Sequence, residues 1–487
     1  MPKLSGAVNI SKNEYIFIWA GLAIAFIIGL ISVYYKNPYI ALFPAVALAL
    51  IIYLVFLFRD PFVGLITTLT YCFFLHFISR EVGGDFSYGL GVDALLVLTW
   101  VSVWYNAPKY NFSALNNSLW WLTFGWFIWS VLQIANPAGA SPMGWLLEIR
   151  GVALYPLLIA PLGLLLLNSE KRINFFIKTI LLFSLLAALH GIKQDSIGLT
   201  DSEQLFVSNS PTHLLWGKLR VFSVYGNAGQ FGPSQAQFSI LCLVLLLAVK
   251  SWGKRLVLLA LSAIFFYGML ISGTRGALFA FIGAAAFAVF LFGNLRVIII
   301  GSILLGGFLG VLKYTTIGNQ NYGIYRLRSA LDTDDASLNV RLINQKKLSD
   351  YLKNKPFGGG LGAIGAFGHK YNEGSFLASV EPDSYWVKLW AMCGIVGFTL
   401  WFCMLMYLLG SSAGIIWKIK NNNFKTKLIG LGAGNMGLFL CSYGNEVMND
   451  MPSLIVIYLS FAIIFLAPAI DKKKIQEEEE DNKNQSI

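Results

Sequence analysis

Arginine presents a rigid fork of five N–H donors that suits phosphate oxygens, and it keeps its charge in proteins. Six arginines of this chain stand apart from the basic connections between apolar runs. They are Arg150 in EIRGVALYP, Arg220 in KLRVFSVYGNAGQFGP, Arg275 in ISGTRGALFA, and Arg326, Arg328 and Arg341 further on. Several of them converging on one face would hold a di-anionic or poly-anionic headgroup. Taken singly, each could instead pair with a lipid phosphate or a nearby acid, as Arg150 could with Glu148. Arg275 is the hardest to explain that way, because a Gly-Thr-Arg-Gly turn between two apolar runs has no structural need for a long cation. A second feature is EPDSYWVKLWAMCGIVG, residues 381–397, where Glu381 and Asp383 immediately precede an apolar, aromatic segment. A carboxylate at the edge of a membrane span is costly to dehydrate, so it must be satisfied or used. Asp-Ser before an apolar run also makes a good helix N-cap, and capping and chemistry can coexist at Asp383.

The elements that must position these groups are membrane helices. Of 487 residues 56% are hydrophobic and 13% charged, with mean hydropathy +0.64; a soluble domain carries roughly 25% charged residues. Runs of about 20 apolar residues are the unit of a helical span. They fall near 14–34, 38–58, 60–79, 90–106, 118–135, 147–167, 173–192, 231–249, 255–272, 276–293, 296–314, 384–410, 427–445 and 452–470. The fold class is therefore an all-α integral membrane protein with about 12–14 transmembrane helices. A polar stretch, 1–13, precedes the first run without a small-residue cleavage site, which points to an uncleaved first helix.

With that polar stretch in the cytoplasm, the connections RD (59–60), APKYNFSALNN (107–117), NSEKR (168–172), KSWGKR (250–255), GNLR (293–296) and KIKNNNFKTK (418–427) lie inside, and each contains Lys or Arg. The charged tail 471–487 is also inside and reads as disordered. Two long segments, 193–230 and 315–383, then lie outside, where a membrane enzyme would meet an extracytoplasmic substrate. In the larger one, Leu342, Leu348 and Leu352 suggest an amphipathic helix ended by Pro356, followed by the glycine-rich FGGGLGAIGAFG. That stretch lacks the Gly-Lys-Ser/Thr of a P-loop and serves as a flexible loop or a weak candidate for an anion cradle. YGNEVMNDMPS (443–453) adds Glu446 and Asp450 to the same face. The five cysteines and four histidines show no metal-ligand spacing, so no structural metal is expected. The net charge of +11 belongs in part to the inside connections and implies no nucleic acid.

Several of these pieces occur in a recognisable order. SGTRGAL opens a span at Ser272–Leu278, Arg341 precedes a helix, Pro356 to Gly362 are proline then glycine-rich, and Asp383-Ser384 opens a span bearing Gly394-Ile395-Val396-Gly397. The pattern resembles the O-antigen ligase and O-antigen polymerase superfamily, most strongly over 255–410, with HGIKQDSIGLT and LRVFSVYGNAGQFGP resembling the segments upstream. The resemblance implies an all-helical fold whose periplasmic loop, about 315–383, covers a lipid-accessible cavity. It also implies transfer of a glycan from a polyprenyl-pyrophosphate carrier, undecaprenyl pyrophosphate, to an acceptor hydroxyl. The acceptor would be another lipid-linked repeat, lipid A-core, or a protein hydroxyl. No cofactor or metal is implied; the location would be the bacterial inner membrane, with the active face periplasmic. Ligases place His, then Asn, Ser or Gln, then a glycine ten residues on. Here Ser384 and Gly394 fit, while Asp383 stands in place of His, which favours a polymerase or a divergent transferase.

On that reading the acceptor hydroxyl must lose a proton as it attacks the anomeric carbon, and the departing pyrophosphate needs its charge stabilised. Asp383 is the candidate base, with Glu381 as backup. Arg220, Arg275 and Arg341 would bind pyrophosphate, and Tyr385, His369 and Arg150 would orient substrate. A secondary transporter would instead show midplane ionisable groups, repeats and paired broken helices. A non-catalytic polysaccharide assembly protein would tolerate replacement of its arginines.

Overall fold

A computed structural model describes residues 38–485 except 85, 140, 216, 332–335 and 383, together with Ile31 and Tyr34. The run at 14–34 and the polar stretch before it lie outside the described residues, apart from those two positions. Each of the other apolar runs becomes a helix. They begin with α1 (Pro38–Arg59), α2 (Phe62–Val82), α3 (Gly89–Tyr105), α4 (Ser118–Leu132) and α5 (Pro142–Ile149), the last leading through one π-turn (Arg150–Leu154) into α6 (Tyr155–Leu166). Next come α7 (Glu170–Ser196), the short α8 (Asp201–Asn209) and a two-residue hairpin of β1 (Leu214–Leu215) and β2 (Lys218–Leu219). Spans resume with α9 (Ala228–Ala248), α10 (Trp252–Ile271), α11 (Arg275–Phe292) and α12 (Leu295–Tyr314). The large loop contains α13 (Tyr322–Ser329), α14 (Ala336–Leu352) and α15 (Gly365–Tyr371); then follow α16 (Tyr385–Lys418), α17 (Asn422–Cys441) and α18 (Ser453–Gln485). Among the described residues, ten helices are long and apolar enough to cross a membrane, which makes this an all-α integral membrane protein.

Helix starts follow local chemistry. Asn117, Asn227, Asn294 and Asn421 each accept a hydrogen bond from the first turn of the helix they precede, and Thr200 with Glu203 forms a capping box on α8. Packing then sets the centre. Helix α9 lies against α10, α11 and α17, α6 packs on α18, and α12 buries only Leu312. Polar side chains stitch the centre together, as Gln235 donates to Ser184 Oγ (3.1 Å) and Asn435 to the Ile457 carbonyl (3.2 Å). Such bonds hold helices where apolar lipid gives no hydrophobic drive.

The connections sort to two ends. At the basic end Arg172 pairs with Asp60 (2.9 Å), and Glu170 takes Lys427 (2.6 Å) and Lys474 (2.9 Å). Asp471 there accepts from the Lys420 and Asn421 N–H groups (3.0 and 3.2 Å). At the opposite, loop end lie the segments that follow α7 and α12.

Three expectations change. Helix α18 runs on to Gln485, through the charged stretch read as a disordered tail; Lys and Glu are good helix formers, and Lys473 faces Glu477 one turn on (3.7 Å). Helix α14 forms as expected but ends at Leu352. Its Leu348 and Leu352 are buried while Leu342 is exposed. Glu148 does not pair with Arg150: Arg150 bonds Asp93 (2.6 Å) and the Tyr155 hydroxyl (2.9 Å).

Candidate active site

The loop end gathers the arginines around the turn between α10 and α11. Gly273 takes φ 55° there, a left-handed conformation that glycine adopts freely. Thr274 Oγ1 donates to the Ala228 carbonyl (2.8 Å) and accepts from Arg220 Nη2 (3.4 Å). Arg220 Nη1 reaches the Thr212 carbonyl (3.1 Å), while its buried Nε has no partner among the described residues. Arg275 follows as the first residue of α11 and donates to Ser329 Oγ (3.0 Å). Arg341 comes from α14 and lies against the α17–α18 connection, its Nη1 3.6 Å from where a β-carbon on Gly444 would sit. That connection in turn touches Gly276 through Asn445 and Cys441.

Three elements distant in sequence thus bring Arg220, Arg275 and Arg341 into one electrostatic neighbourhood. The Arg220 pKa falls below its ordinary range, first through burial and then through the positive charges of Arg275 and Arg341, with Tyr322 acting in the opposite sense. Like charges assembled at such expense make a strong local field for an anion.

The other loop arginines serve the backbone. Arg328 bonds the Leu312 and Ile317 carbonyls (2.7 and 3.0 Å), closing the end of α12, and buried Arg326 reaches the Gly273 carbonyl (3.4 Å). The fork of Arg150 is occupied by Asp93 and Tyr155, so the structure does not bring it free into the arginine set.

The glycine-rich stretch has a different role from either sequence reading. Helix α16 is broken at Gly394, with φ 65° and ψ −172°. Break and loop meet: Gly359 and Gly360 N–H donate to the Ala391 and Met392 carbonyls (2.9 Å each), and Val396 N–H donates to the Pro356 carbonyl (3.2 Å). A β-carbon on Gly358 or on Gly394 would collide with the other strand of this junction, and both have positive φ. The N–H groups of Gly359 and Gly360 are therefore spent on helix carbonyls and do not form an anion cradle. Irregular backbone is tolerated at such depth only where protein buries it, and Gly358–Gly362 are buried.

Asp383 lies outside the described residues. Its neighbour Ser384 takes the N-cap, accepting from Val387 N–H (3.3 Å) and donating to the Ser442 carbonyl (3.3 Å). Glu381 and His369 are exposed and bond one another at 2.8 Å. Tyr385 is buried, 3% exposed, with its ring edge on Trp401 at 5.5 Å. One turn into α16, Lys388 sits between Glu148 and Glu446, 3.0 Å from each. This triad went unread in the sequence, although a lone lysine in the run YWVKLW needs a partner if it is inside a membrane. A second unread constellation pairs His76 of α2 with Asp450, at 3.3 Å.

Comparison with known proteins agrees with this geometry. Residues 258–402, from α10 through the broken α16, match the model of a family described as O-Antigen ligase. No curated protein matches the chain. The turn bearing Arg275, the helix bearing Arg341 and the Gly358–Gly394 junction all fall within the matched stretch, so this multi-pass membrane protein carries, over residues 258–402, a segment similar to the O-antigen ligase family.

Proposed function

We propose that the chain transfers a glycan from a polyprenyl-pyrophosphate carrier to an acceptor hydroxyl at the extracytoplasmic face. The observation that carries this reading is the meeting of Arg220, Arg275 and Arg341 within and beside the O-antigen ligase match. A pyrophosphate is the leaving group whose charge three fixed guanidinium forks would stabilise as the bond to the anomeric carbon breaks. The acceptor oxygen forms the new bond and gives up its proton to Asp383, which the family pattern sets at the head of α16. Glu381, tied to His369, stands two residues before it as the backup base. Tyr385, the first residue of α16, packs its buried ring on Trp401 and so helps fix the head of that helix, and the proposed reaction calls for no cofactor. The basic end faces the cytoplasm, as the positive-inside rule requires, and the loop end faces the periplasm of a bacterial inner membrane.

The test is the glycan pattern of cells carrying Arg275→Ala, Arg341→Ala or Asp383→Asn at normal membrane levels. Loss of one transition-state cation or of the base is expected to lower transfer by roughly 100-fold or more. Long polymer collapsing to single repeats on a decorated acceptor identifies a polymerase. Loss of all decoration, with lipid-linked glycan accumulating, identifies a ligase. Wild-type behaviour in every variant overturns the transfer reading and favours a transporter or an assembly protein.

A further inference from the structure

A cavity of about 270 Å³ opens at the loop end outside the matched stretch, lined by His76, Ser79, Arg80, Ser202, Phe206 and Asn209. Behind its lining residue His76 stands Asp450, paired with the imidazole. Asp450 accepts from its neighbour's Met451 N–H (2.8 Å) and from Gln230, and it meets His76 Nε2 at 3.3 Å. These bonds and the His76 contact outweigh burial and hold its carboxyl below the usual range. A carboxylate only accepts, so Nε2 carries a hydrogen toward Asp450, and Nδ1 is the ring nitrogen left for another partner. Gly226, also on the cavity wall, leaves this nitrogen open: a β-carbon there would lie 3.2 Å from Nδ1 and 3.1 Å from Cε1.

Most of the strong donors on the lining are already spent. Nη1 and Nη2 of Arg80 are used on the Tyr225 and Ser223 carbonyls, its buried Nε has no partner among the described residues, and its guanidinium lies over Phe222 (4.8 Å) and Phe206 (5.3 Å). Ser202 donates its hydroxyl hydrogen to Glu81 (2.7 Å), so its oxygen presents lone pairs. The rest of the wall offers hydroxyl, amide and imidazole groups beside the Leu205 side chain and the ring of Phe206. That combination suits a neutral polyhydroxyl ring with one apolar face, and the volume is at the small end of ligand pockets.

The cavity also neighbours the arginines. Gly226 lines it, while Ala228, two residues on, accepts the Thr274 bond that leads to Arg220. Two residues of chain span at most ~7 Å. We infer that this cavity is a carbohydrate subsite, in which His76 Nδ1, its ring oriented by Asp450, hydrogen-bonds a sugar hydroxyl while Phe206 offers its ring to the apolar face. The choice of a sugar as ligand rests on the glycan-transfer reading.

The experiment is saturation-transfer NMR on the full chain in phosphatidylcholine nanodiscs. The probes are methyl glycosides of glucose, galactose, N-acetylglucosamine and rhamnose. At least one should receive saturation from the wild-type protein. Asn209→Trp, which fills the cavity from the exposed end of α8, should abolish the signal. Gly226→Ala, which covers the imidazole nitrogen, should weaken binding roughly tenfold, as loss of one hydrogen bond does. Unchanged thermal unfolding of both variants keeps misfolding from mimicking the result. The inference is overturned if no glycoside binds the wild type, or if binding survives Asn209→Trp undiminished. The measurement needs neither donor lipid nor turnover. Failure here therefore leaves accumulation of lipid-linked glycan in Arg275→Ala cells unaffected, and failure of that accumulation leaves sugar binding to be read by itself.

Discussion

At the residue scale, buried charges in this protein divide into those that hold the fold and those that gather without an evident structural need. Lys388 belongs to the first kind. Its ammonium, with the side chain 9% exposed, offsets two carboxylates from α5 and the α17–α18 connection. Lys388→Met should leave those acids unpaired and destabilise the protein by about 3–5 kcal/mol, since breaking a buried pair strands the partner charge. Adding Glu148→Gln and Glu446→Gln should restore much of the loss; thermal unfolding in detergent reads both, and a single variant as stable as wild type would refute the pairing. Arg275→Ala should instead spare the unfolding temperature while abolishing transfer. His213 offers a pH test of its own. It lies between the rings of Phe206 and Phe222, 5.0 Å from each. Burial, then the charges of Arg220 and Arg80, push its pKa down from 6.5 to about 4. Between those values the unfolded chain binds the extra proton and the folded chain does not. Its contribution is therefore complete above pH 6.5 and is lost as pH falls toward 4. His213→Phe should flatten stability across that window, and an unchanged slope would show that another group controls it.

At the element scale, the device that shapes the site is a helix interrupted to receive a loop. Breaking α16 at Gly394 frees carbonyls within the helix, and the glycine-rich segment supplies the N–H groups that satisfy them. A side chain at Gly394 would meet the Pro356 carbonyl and would carry a left-handed φ, which by itself costs roughly 1–2 kcal/mol for a residue with a β-carbon. Gly394→Ala should therefore eject the loop. A cysteine at Phe357 would then react faster with a soluble maleimide, and transfer would fall even though no arginine has changed. Equal labelling rates in the two backgrounds would show that the junction tolerates a β-carbon. The loop also carries Arg341 on α14 just upstream, so docking at α16 helps fix where that guanidinium stands.

At the scale of the whole molecule, the contacts sort by end: Asp60 pairs with Arg172, Glu170 with Lys427 and Lys474, and Asp471 with the backbone at Lys420, and none of these bonds reaches the arginine end. Which of the two ends faces the cytoplasm is what the basic connections predict. An impermeant maleimide added to intact cells in a Cys403→Ser background should label Asn319→Cys in the large loop and spare Asn423→Cys at the start of α17; the reverse pattern would invert the topology. Composition and run length by themselves determined the class and most of the helices, because a bilayer enforces helix length and penalises misplaced charge regardless of neighbours. The order SGTRGAL, Arg341, Pro-Gly-rich segment and Gly394 was likewise legible, since each piece is local. What the sequence could not reveal is which charges pair. Arg150 and Glu148 are two residues apart yet take Asp93 and Lys388, because helical neighbours two apart point to different sides and each finds its partner across a helix interface. His76 and Asp450 are separated by 374 residues and meet only because α2 and the α17–α18 connection close on the start of α9. The glycine-rich stretch read as a free loop for the same reason: its partners are carbonyls released by a break in α16, which exist only once both segments are folded.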